Sequence, residues 1–131
     1  MISKRKNIST GAPWEPLVGY CRAVRTGPHV AVSGSAPVGD DGEVVAPGDP
    51  YLQAQRCIEI IEWALKEAGA GLEHVVRTRM FVTDISQWEA IGRAHGEAFG
   101  EIRPTTSMVE VSALIHPDML VEIEADAFIS S

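Results

Sequence analysis

At 131 residues the chain is long enough for one domain with its own apolar core and too short for two. Its composition, 45% hydrophobic and 22% charged with 12 Gly and 8 Pro, is that of an ordinary soluble protein. A net charge of −7 argues against nucleic acid as a partner, because phosphate contacts need clustered Lys and Arg.

Cys21 and Cys57 form neither a disulfide framework nor a C-x-x-C pair, so reduced thiols are expected. The stretch 1–6 is basic, but 7–16 holds no apolar run that would make it a leader. No segment approaches the length of a membrane span. A cytoplasmic location is expected.

In chain order, residues 1–18 are polar and carry Pro13 and Pro16, which predicts an arm or a short edge strand. Residues 20–26 alternate, with Tyr20, Arg22 and Val24 opposite Cys21, Ala23 and Arg25. The Gly27-Pro28 turn signal makes this strand and residues 29–33 a hairpin. Residues 34–50 read as loop, with a brief strand at 43–45. Asp49-Pro50 then opens the strongest helix, an N-cap acid followed by Pro at the first helical position. Ala54, Cys57, Ile58, Ile61, Ala64, Leu65 and Ala68 form its apolar stripe, and Gly69 suits a left-handed cap.

Residues 75–84 predict a strand with Val76, Thr78, Met80 and Val82 opposite Arg77, Arg79, Phe81 and Thr83. Ser86-Gln87-Trp88-Glu89 fits a capping box and starts a second helix whose stripe is Trp88, Ile91, His95, Ala98 and Phe99. Arg103-Pro104 breaks it. Residues 105–112 and 120–129 are then expected to close the fold as a strand pair. In the last strand Val121, Ile123, Ala125, Ala127 and Ile129 alternate with Glu122, Glu124 and Asp126. Three acids on one face are costly to bury unpaired, so that face must meet water, cations or another chain.

The pattern predicts one α+β domain over 1–131, with two helices covering one face of a four-to-six-stranded sheet. The uncovered face is expected to pack on copies of itself, its charges paired or lining cavities between subunits. A solvated sheet face is the plainer alternative. The four histidines (His29, His74, His95 and His116) show no ligand spacing, and His95 reads as a hydrogen-bonded core histidine. Ser33-Gly34-Ser35 is no nucleophile elbow, and 39–48 lacks the pattern of a phosphate loop. No metal and no cofactor are called for. The polar positions assigned to the open side are Tyr20, Arg22, Thr106, Glu110, Glu122 and Glu124, where a carboxylate beside hydroxyls can orient water or hold a polar ligand.

Several stretches resemble the RidA (YjgF-type) family: Val18-Gly19-Tyr20-Cys21-Arg22-Ala23-Val24, Val30-Ala31-Val32-Ser33-Gly34, 53–69 and 75–84. Arg103-Pro104-Thr105-Thr106-Ser107-Met108-Val109-Glu110-Val111 and Val121-Glu122-Ile123-Glu124-Ala125 complete the match. The resemblance implies a chorismate-mutase-like fold, mixed and mainly antiparallel. It further implies a homotrimer with inward-facing sheets and three clefts between subunits. Family members of the usual type hydrolyse enamine and imine acids such as 2-aminoacrylate to keto acid and ammonia.

On that resemblance Glu122 positions water as a catalytic residue with Tyr20, while Ser33 lines the cleft. Thr106 stands where the family has a carboxylate-gripping arginine, Gly92 where it has asparagine, and Met108 where cysteine is common. A charge-assisted hydrogen bond contributes roughly 1.5–3 kcal/mol, which threonine cannot match. Arg22 or Arg103 could replace the arginine, although Arg22 could equally pair with Glu122 or Glu124 as structural support. The expected function is hydrolysis or deamination of a small imine, enamine or related metabolite, with poor activity on 2-aminoacrylate. The alternative is a non-catalytic metabolite-binding or regulatory trimer. An RNA-cleaving translation inhibitor ranks last, because the charge and the 6% aromatic content offer single strands neither groove nor stacking platform.

Overall fold

The computed structural model describes residues 4–130, so Met1, Ile2 and Ser3 of the expected arm and Ser131 at the other end lie outside the described residues. The elements follow as β1 (Arg5–Ile8), α1 (Trp14–Val18), β2 (Ala23–Thr26), β3 (His29–Ser35), α2 (Pro50–Glu67), β4 (Val75–Val82), α3 (Trp88–Phe99), β5 (Thr105–Glu110) and β6 (Val121–Phe128). Single 3-10 turns at Leu72–His74 and Ile85–Gln87 lead into β4 and α3. The expected arm thus supplies an edge strand, β1, and a short helix that the polar sequence did not announce.

Asp49 caps α2 as its sequence predicts, accepting the Leu52 N–H at 3.0 Å, and Gly69 takes the left-handed φ of 86°. The predicted stripe is buried: Ala54, Cys57, Ile61, Ala64 and Leu65 are each 0% exposed. The second helix starts differently from its expected capping box. Asp84, not Ser86, caps the preceding turn by accepting the Ser86 N–H. Trp88 is 56% exposed, while Ile91, Ala94 and Phe99 carry the buried face.

The strands form one six-stranded sheet in the order β1-β2-β3-β6-β4-β5. Every pairing is antiparallel except β4–β5, which is parallel. The β2–β3 hairpin turns at Gly27-Pro28 as expected, and the brief strand at 43–45 is reduced to an isolated bridge between Val38 and Val44. The closing strand pair is corrected: β5 and β6 are not neighbours, because β4 lies between them. The β4-α3-β5 segment is a crossover unit, which carries the chain over the sheet and makes β5 run parallel to β4.

The alternation of β6 holds. Val121, Ile123, Ala125 and Ala127 are buried, while Glu122, Glu124 and Asp126 face the other way and are partly exposed. Both long helices pack on the first of these faces, with Val30, Val32, Met80 and Val82 completing the core. The opposite face carries Arg79 across from Glu124 and Phe81 across from Glu122. Some of its charges pair within the chain: Arg79 Nη1 lies 3.3 Å from Asp126 and 3.8 Å from Glu124.

Candidate functional site

Gln53 lies on the buried side of α2, and its side chain fixes the start of β6. It donates to the carbonyls of Val45 and Asp118 and accepts the Leu120 N–H at 2.8 Å. Two residues later Glu122 emerges on the open face. Opposite it, β3 is irregular between Val32 and Ser35, and this bulge brings Gly34 against the Glu122 side chain. A Cβ built on Gly34 would overlap the carboxylate and lie 3.0 Å from its Cδ.

Tyr20, Arg22 and Ser33 gather beside this contact. Arg22 Nη2 donates to the Gly34 carbonyl at 2.6 Å, and its guanidinium lies 5.8 Å from the Tyr20 ring centroid. Arg22 Nε is buried with no hydrogen-bond partner among the described residues. Ser33 Oγ donates to the Cys21 carbonyl at 2.7 Å, which ties β3 to the segment carrying Tyr20 and Arg22. Arg22 closes an ion pair with neither Glu122 nor Glu124 among the described residues; Glu124 is engaged by Arg79.

Burial pushes the Glu122 carboxyl above its ordinary value, with the Arg22 charge opposing that rise and Glu124 adding to it. Behind Arg22 stands Glu15, a buried acid that the sequence did not single out. Its carboxylate accepts from the hydroxyls of Ser9 at 2.6 Å and Thr10 at 2.7 Å. Burial works against its charge, but those hydrogen bonds and Arg22 prevail and hold its pKa below the ordinary range. No sequence motif marks this residue.

The remaining sequence candidates lie elsewhere. Thr106, Met108 and Glu110, expected on the open side, stand across from Thr78, Met80 and Val82 of β4. Those partners belong to the buried face, so the three side chains share the helix side instead. Thr78 Oγ1 is 2.7 Å from Thr106 Oγ1 and 2.8 Å from His95 Nε2. Met108 packs on the core, and Glu110 accepts the Ile85 N–H. The error in facing follows from taking β5 and β6 as a hairpin. Glu124 stays on the open face as expected. Arg103 follows the turn after α3 with a left-handed φ of 56°, and its Nε donates back to the Gly100 carbonyl, so that donor does not serve Thr106.

Two clusters result. Tyr20, Arg22, Ser33 and Glu122 form one on the open face; Thr106, Thr78 and His95 form the other at the β5 edge on the helix side. A cavity of about 170 Å³ lined by Pro50, Thr83, Gln87, Ile91 and Leu120 includes none of these residues. Among the described residues no helix is long and apolar enough to cross a membrane.

Comparison with known proteins places this geometry in context. A family model described as endoribonuclease L-PSP matches residues 10–129. A Mycobacterium tuberculosis structure, described as a member of the highly conserved YjgF/YER057c/UK114 family, is 52% identical, with a TM-score of 0.88. The alignment covers 96% of this chain and 100% of that one. The Escherichia coli YjgF gene product is 31% identical with a TM-score of 0.82, over 94% of this chain and 98% of that chain. The 3-aminoacrylate deaminase RutC of Acinetobacter baylyi is 34% identical over 122 residues, 93% of this chain and 95% of its own length.

Proposed function

The chain belongs to the endoribonuclease L-PSP family, whose members also carry the YjgF, RutC and UK114 labels, and from that membership we propose that it hydrolyses a small imine or enamine in clefts between copies of itself. The observation that carries this reading is the division of the site. Glu122 and Thr106 lie on opposite faces of one sheet, so a small ligand touching both kinds of residue must sit between two chains. The edge strand β5 of one copy would then meet the open face of the next. A closed ring of three satisfies this head-to-tail contact, the homotrimer expected from the family resemblance.

The chemistry assigned to the cleft follows from its groups. Water adds to the carbon of a C=N bond while Glu122 takes one of its protons and passes it to nitrogen. The hydroxyl of the resulting carbinolamine then yields its proton to the same carboxylate, which delivers it to nitrogen, and ammonia leaves as the C–N bond breaks and the carbonyl forms. A raised pKa suits a carboxyl that must both take and give. Tyr20 and Arg22 wall the cleft and orient the polar end of the ligand. Activity on 2-aminoacrylate is expected to be poor, since no guanidinium stands at position 106 to grip its carboxylate.

A second reading, a metabolite-binding trimer without turnover, is favoured by one specific observation. The Ser33 hydroxyl is spent on the Cys21 carbonyl rather than offered to a ligand. Both readings are tested by measuring mass in solution and ammonia release from a panel of small imines, in the wild type and Glu122→Gln. Turnover by a trimer that falls about 10²-fold or more in the variant supports the hydrolase. Identical release from both proteins on every compound supports the binder, and a monomer overturns the shared cleft.

A further inference from the structure

Thr106, Thr78 and His95 form a chain that ends at an exposed hydroxyl on an unpaired strand edge. Thr78 is fully buried and has one hydroxyl proton. Donation of that proton to Thr106 leaves Thr78 Oγ1 to accept from His95, which places a ring proton on Nε2. Burial lowers the pKa of His95, in keeping with a neutral ring. The ring is held in place by Phe99, whose centroid lies 4.6 Å away. Each donor in such a series polarises the next, so the Thr106 O–H is left free and strengthened to donate outward.

Among the described residues no guanidinium donates to the Thr106 hydroxyl. Threonine brings no charge to this edge, and the Arg103 Nε is turned back on the Gly100 carbonyl. On the open face the Arg22 charge is already shared by Glu15 and Glu122, with Glu124 close to Glu122. A ligand carboxylate would join Glu15, Glu122 and Glu124 on a face where Arg22 and Arg79 are already engaged.

We propose that Thr106, positioned by Thr78 and His95, is a specificity-determining residue that donates its hydroxyl proton to an uncharged carbonyl or imine, so that the ligands of this protein lack a carboxylate. This rests on the cleft reading above and narrows its substrate class to neutral compounds such as amide-substituted imines and their carbonyl products. Thr106 touches the ligand. Thr78 and His95 act through it.

The test uses the intact protein, labelled with ¹⁵N, titrated with pyruvamide and pyruvate, two product-like carbonyls that differ in charge. Expected is at least tenfold tighter binding of pyruvamide, with a shift of the His95 ring nitrogens although no ligand atom reaches them. Thr106→Val should abolish that preference, and Thr106→Arg should reverse it. His95→Gln, which keeps a donor, should retain the preference, while His95→Leu should lose it. A merely structural histidine would leave the ratio of the two affinities unmoved in both His95 variants. Tighter binding of pyruvate by the wild type, or an unchanged ratio in Thr106→Val, overturns the proposal. Shifts at Tyr20 and Glu122 without any at Thr106 and His95 overturn it while sparing the cleft. No shift at either cluster overturns both.

Discussion

Gly34 and Glu122 face each other across the β3–β6 pair with no room between them for a methyl group. Glycine is required there by closeness, since it is the side chain of Glu122 that occupies the space where a Cβ would go. Gly34→Ala must therefore displace the carboxylate from its place against Gly34. A displacement near 1 Å costs on the order of 10²-fold in rate. The expected outcome is that loss in kcat/KM with little change in Tm, read by steady-state kinetics and thermal denaturation. Unchanged kinetics would remove Glu122 from the chemistry.

Glu122 also sets a pH dependence. Its folded pKa is raised above the ordinary 4.5, so between the two values the folded chain holds more protons than the unfolded one. Stability contributed by this group therefore falls as pH rises through that window, and the penalty is complete above it. Glu122→Gln removes the penalty. The variant should gain in Tm relative to wild type as pH is raised from 4 to 7, while the kcat/KM of the wild type declines on the acid side with an apparent pKa above 4.5. A constant Tm difference across that range would contradict the burial of the charge.

The features set by local patterning were legible in the chain. The alternation of β6, the Asp49 cap of α2 and the Gly69 stop each need only neighbours in sequence. The facing of β5 was not legible, for a physical reason. Side-chain parity on a strand has meaning only relative to its partner, and residues 113–118 look like a hairpin turn. With β4 inserted between β5 and β6, the shared reference became Thr78 and Met80, which put Thr106 and Met108 on the helix side. The crossover β4-α3-β5 did carry a signal, since a strand–helix–strand unit favours parallel neighbours. Glu15 and the Gly34 contact remained hidden, because both depend on which segments meet in space.

Cys57 and Cys21 should differ sharply in reactivity. Cys57 is 0% exposed and burial pushes its thiol far above the ordinary value, whereas Cys21 is half-buried in the stretch before β2. The thiolate is the reactive form, so Cys57 is inert while folded. Iodoacetamide at pH 8 should add one group per native chain and two per chain in denaturant, counted by intact mass. Two adducts on the native protein would mean that α2 opens readily from the sheet.

Glu15 links stability to the position of Tyr20 and Arg22. Its side chain gathers the hydroxyls of Ser9 and Thr10, while its backbone carbonyl accepts the N–H groups of Gly19 and Tyr20. Glu15→Ala keeps the backbone bonds but leaves two hydroxyls without their acceptor and removes one of the two acids that act on Arg22. Losing a buried partner costs about 1–3 kcal/mol, so urea denaturation at pH 7 should show a loss of that size. Because the folded pKa is lowered, the Glu15 contribution is complete above the ordinary 4.5 and disappears as pH falls through the lowered value. The gap between wild type and variant should therefore shrink in acid, and ligand affinity at pH 7 should weaken as Arg22 loses its support. A gap of equal size at both pH values would mean that the charge of Glu15 is not what holds this corner together.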